Sequence, residues 1–230
     1  MSQPIMKEHG QLLDIPDPLA SSGHAPPPMP TLPAQRAPTR AERKRSLTFV
    51  IATAVVYQIA WLALVEHRAD MGSNTPLIVL GVVVPLVLGV VAFNAALRRG
   101  PHGLGISVNA IRAAIFATPV LFTLASLVIA SRITDETAPF WDRAIRCMAV
   151  TCALTTPPMV MLGWVFRHAF VAASAWRSAA LGVACGALGA ATMGLACPHG
   201  EALHVIVAHG SMMLVGGALG ALIGRSFVRA

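Results

Sequence analysis

Charge is what this chain lacks most. Only 12% of its residues are Asp, Glu, Lys or Arg, about half the share of a water-soluble domain, while 55% are hydrophobic. That balance excludes an ordinary soluble globule, and so much apolar material excludes disorder except locally. Aromatic side chains are sparse too, at 6%. The apolar content is therefore aliphatic and, with 19 Gly, suits helices packed inside a membrane. Catalytic signatures are missing: there is no Gly-rich loop ending in Lys-Ser/Thr, no His-Glu-x-x-His, no nucleophile elbow and no Cys-x-x-Cys,. No Asp or Glu falls well inside an apolar run, which argues against an ion-coupled pump. The expectation is a protein that is no enzyme and needs no cofactor.

What the chain does have is distributed unevenly. Its formal charge is +7, yet five of its 17 Lys and Arg cluster within residues 36–45, just before the first apolar run. Placed there, they are a topology signal, and no direct nucleic-acid contact is expected. The first 45 residues also hold nine of the 17 prolines and are read as a disordered cytoplasmic tail rich in Pro and Arg. Leu12, Leu13, Ile15 and Leu19 give that tail one short apolar cluster, fit to bind a partner or merely part of a tether.

Beyond the tail, six apolar runs near the ~20 residues needed to cross a bilayer fall at about 46–65, 76–97, 108–130, 144–166, 172–196 and 203–224. The expected fold is all-α, a multi-pass antiparallel bundle of six transmembrane helices over residues 46–225, with short connections. From Arg36 onward, twelve Lys and Arg fall on one side of these runs and four on the other, which predicts both termini on the cytoplasmic side of the membrane. Gly182 and Gly186, with Gly189, and Gly216, Gly220 and Gly224 form small-residue stripes, for packing within the bundle or between copies. Pro85, Pro119 and Pro157-Pro158 interrupt spans, and the carbonyls they free need partners such as Thr155 or Thr156.

Four cysteines remain. Cys147 and Cys197 fall at one depth near the outer face, and Cys152 and Cys185 lie about 13–17 Å below that face at 1.5 Å per residue,. Arg143, four residues before Cys147 on the same helix face, would favour its thiolate. The outer pair is the candidate sensing site, although a buried Cys also serves as a small hydrophobe. Cys197, His199, Glu201 and His204 form a candidate ligand set for a soft metal; whether any metal binds is open. His204 and His209 stand five apart, about 140° around an α-helix, and are predicted on different faces,. His209, inside the last span, serves as either a functional group or a helix-to-helix donor.

These features together resemble the NrsF family of bacterial inner-membrane negative regulators of extracytoplasmic-function sigma factors. The resemblance rests on residues 141–147 (Trp-Asp-Arg-Ala-Ile-Arg-Cys), Pro157, Trp176, Cys197-Pro198, His204 and His209. Arg98-Arg99-Gly100 and Gly103-Leu104-Gly105 add to it, and it runs over most of residues 30–225. It implies a tail that restrains a sigma factor and outward-facing cysteines that help release it under stress; Cys147 and Cys197 fall at the matching places, and Cys152 and Cys185 have no counterpart. The expected partners are the sigma factor and the lipid bilayer. The alternative is a small transporter or permease lined by His209, Arg112 and Met212-Met213. A membrane redox enzyme with haem-ligating histidines ranks third.

Overall fold

A computed structural model describes residues 39–64, 75–97, 106–130, 139–166, 174–197 and 199–228. The apolar tail cluster of Leu12, Leu13, Ile15 and Leu19 lies outside the described residues. Helix α1, Arg40–Leu64, opens with a reciprocal cap: the Glu42 N–H donates to Thr39 Oγ1 at 3.2 Å, and the Thr39 N–H donates to Glu42 Oε2 at 2.6 Å. Two donors that a helix start leaves unpaired are thereby satisfied. The Thr39 N–H also holds the Glu42 carboxyl below the usual carboxylate range. This cap begins the helix ahead of residue 46, where the apolar run alone places its start.

Helix α2 is built of Thr75–Ile78, a π-helical turn at Val79–Val83, and Val84–Leu97. Pro85 explains the turn. It has no N–H for the Gly81 carbonyl four residues back, and the Val84 N–H reaches Val79, five residues back. Helices α3, Val108–Ala130, α4, Phe140–Phe166, and α5, Ser174–Ala196, follow. Helix α6 comprises Ala202–His204, a second π-helical turn at Val205–Gly210, and Ser211–Val228.

The described residues are all-α, and among them six helices are long and apolar enough to cross a membrane: Lys44–Leu64, Val79–Leu97, Val108–Ile129, Phe140–Phe166, Ala175–Ala196 and Ala202–Ser226. Large apolar side chains such as Phe49 (64% exposed) and Val128 (72%) face outward, as lipid-facing residues do and a water-facing surface avoids.

Helix α5 is the hub. Buried over 78% of its apolar stretch against 17% for α1, it touches every other helix. Its small residues explain this. A Cβ on Gly182 would fall inside the Gly216 carbonyl, and one on Gly186 inside that of Met212. The two glycine stripes therefore face each other across an antiparallel α5–α6 seam, packing the bundle internally. On the α2 side, the backbones of Gly81 and Gly194 touch in the same way.

The carbonyls freed in α4 find their partners in α1. Pro157 and Pro158 leave Ala153 and Leu154 without an in-helix donor; the Tyr57 hydroxyl donates to the first at 3.1 Å and Gln58 Nε2 to the second at 3.0 Å. The expected partners do otherwise. Thr155 and Thr156 bond the carbonyls of Thr151 and Cys152, each four residues back on their own helix. Arg177 Nη1 caps the end of α2 at the Ala96 carbonyl (2.7 Å), and the Arg112 guanidinium lies 4.5 Å over the Trp176 ring.

A thiol and imidazole cluster at one end of the bundle

Cys147 stands two turns into α4, and Cys197 ends α5. The antiparallel packing of these helices sets their sulfurs 3.5 Å apart. Cys197, 2% exposed, also lies 3.3 Å from His204 Nε2 and 3.9 Å from the His199 carbonyl. Its thiol is held far below the usual range. The largest cause is the hydrogen bond from the Cys147 thiol; His204 and the nearby His209 add to it, against the opposing effect of burial.

Arg143, expected to favour the Cys147 thiolate, reaches the loop after α5. Its Nη2 pairs with Glu201 Oε2 at 3.5 Å and its Nη1 lies 3.5 Å from His199 Nδ1. These contacts tie the outer part of α4 to the loop after α5.

The expected divergence of the histidines requires a correction. His204 and His209 do not diverge: their rings meet edge-on with centroids 5.7 Å apart. The π-helical turn between them is the reason. The Ser211 N–H bonds the Ile206 carbonyl five residues back, so one added residue is absorbed and positions five apart come onto one face. The candidate metal set changes accordingly. Cys147, Cys197, His204 and His209 each offer one donor atom, all within 4.8 Å of one another, whereas His199 and Glu201 attend Arg143.

The deeper cysteines form no comparable site. Cys152 meets Thr156 Oγ1 at 3.9 Å. Cys185 is buried on α5 and lines an apolar groove of about 240 Å³ with residues such as Val50, Leu86, Phe93 and Leu162. Equal depth gave them no common direction around their helices.

Residues 32–229 match the family model NrsF, negative regulator of sigma F. The chain belongs to the NrsF family. No curated protein and no solved structure matches it. As an NrsF member it is a negative regulator whose partner is a sigma factor, and its six apolar helices make it a multi-pass membrane protein. The matched region contains the whole cluster. Tyr57 and Gln58, which tie α1 to α4, carry no signal in the sequence beyond being polar residues inside an apolar run.

Proposed function

We propose that this NrsF member is an anti-sigma factor of a bacterial inner membrane. It holds an extracytoplasmic-function sigma factor through its N-terminal tail, with Leu12, Leu13, Ile15 and Leu19 as the contact, and both termini lie in the cytoplasm. Release follows chemical modification of Cys147 and Cys197 at the opposite, outer face. The observation that carries the reading is the thiol pair 3.5 Å apart, joining α4 to the α5–α6 connection.

A hydroperoxide is one modifying agent that the geometry suits. The Cys197 thiolate attacks the peroxide oxygen, giving a sulfenic acid and releasing the other oxygen as water or alcohol. The Cys147 sulfur then attacks the sulfenic sulfur, expelling water and forming the disulfide. The sulfurs close to about 2.05 Å, which draws α4 against the end of α5. A cross-link contributes about 2–4 kcal/mol, while moving a switch from 1:99 to 99:1 takes about 5.5 kcal/mol. Oxidation alone is therefore expected to release only part of the sigma factor.

The test is tagged purification from native membranes of the full chain beside a version lacking residues 1–38, which keeps the Thr39 cap. A sigma factor retained by the first and lost from the second is the expected result; equal retention by both would sink the tail's role. The Cys147→Ser and Cys197→Ser variants should each abolish induction by thiol-directed stress. The permease alternative gains no support from the residues it needs. Arg112 is engaged with Trp176, Met213 is fully buried in the core, and the groove beside Cys185 has no charged lining residue.

A further inference from the structure

A thiol pair that only forms a disulfide has no use for two buried imidazoles. His204 and His209 are 0% and 2% exposed. Among the described residues, neither ring nitrogen of His209 has a hydrogen-bond partner, nor has Nδ1 of His204. Burying such groups unsatisfied is unfavourable, and here the backbone adopts a π-helical turn that turns both rings toward Cys197. Turns of this kind recur at functional sites.

We infer that Cys147, Cys197, His204 and His209 are the four ligands of a divalent d¹⁰ cation of the Zn²⁺ and Cd²⁺ class. The inference deepens the thiol reading of the same site, resting on it for what binding would signal in the cell but not for the binding itself. Three observations support it. First, the spacing fits. With Zn–S near 2.3 Å and Zn–N near 2.0–2.1 Å, a tetrahedral ion holds its donors about 3.4–3.8 Å apart. The sulfurs stand 3.5 Å apart, Cys197 Sγ and His204 Nε2 stand 3.3 Å apart, and all four donors fall within 4.8 Å.

Second, the donor set selects the ion. Two sulfurs and two imidazole nitrogens suit a tetrahedral borderline-soft cation, and the Glu201 carboxylate is held by Arg143,. Two thiolates with a divalent ion sum to zero charge, the balance a buried site favours; a monovalent ion would leave one negative charge. Third, two of the four ligands, Cys197 and His209, border a cavity of about 10 Å³, room for a particle of about water size. The same two sulfurs cannot ligate the ion and form a disulfide, so occupancy protects the pair from oxidation.

The test titrates the reduced full-length protein in detergent with Co²⁺ alone, followed by displacement with Zn²⁺ or Cd²⁺. Expected are one ion per chain, a tetrahedral d–d spectrum and a thiolate-to-cobalt charge-transfer band. Cys147→Ser should halve that band, and His209→Gln should weaken binding by more than about 100-fold, since even outer-shell losses cost 10–100-fold. Cys152→Ser should change neither. His209→Cys guards against mere misfolding: a third sulfur should raise the band by half. An octahedral spectrum, unchanged affinity in His209→Gln, or an unchanged band in His209→Cys would overturn the inference. Bound Zn²⁺ should also slow disulfide formation by peroxide at least about tenfold, in line with ligand protection; an unchanged rate counts against it. Sigma-factor capture is scored separately, so a chain that binds its sigma factor but no Co²⁺ defeats this inference and leaves the regulator reading standing.

Discussion

Tyr57 and Gln58 serve two carbonyls that Pro157 and Pro158 deprive of their helical donors. Gln58→Leu removes the donor from the buried Leu154 carbonyl and should cost about 1–3 kcal/mol, the desolvation penalty of an unsatisfied group. Pro158→Ala restores an N–H in the helix. In the double variant Gln58→Leu should therefore cost less than it does alone, a coupling that thermal unfolding in detergent would read. The prolines announce the broken bonds in the sequence, but the repair comes from a residue 96 positions away, a pairing that no local rule reveals. Cys147 and Cys197 were legible for the opposite reason. Both lie near helix ends at a shared depth, so counting residues along two antiparallel helices was enough to match them.

At the scale of the element, hydropathy shows where six helices run but not how they turn. The π-helical turn at Val79–Val83 follows from Pro85. The one at Val205–Gly210 has no proline to mark it, and ideal α geometry placed His204 and His209 apart. The five-residue spacing itself was the signal, readable only once both rings are seen to serve one sulfur. The α5–α6 seam offers a sharper test of packing. Gly182→Ala drives a methyl into the Gly216 carbonyl and should destabilise by about 1–3 kcal/mol. Leu214→Ala, on the exposed side of α6, should stay within about 0.5 kcal/mol. Denaturant titration of the two variants side by side separates them.

For the whole molecule, the twelve-to-four division of Lys and Arg makes a prediction about sidedness. Alkaline phosphatase fused after Ala230 should be inactive; an active fusion would invert the bundle. Helix α1 differs from the other five in how it is held. Only 17% of its apolar stretch is buried, and it packs chiefly against α4 and α5. It is also the helix that continues directly from the tail. A mechanical load at the start of α1 would therefore leave that helix through Tyr57 and Gln58, arriving at the proline break in α4 six to seven residues from Cys147. The close-packed α5–α6 seam lies off that path, so α1 and the thiol end of α4 are linked without it.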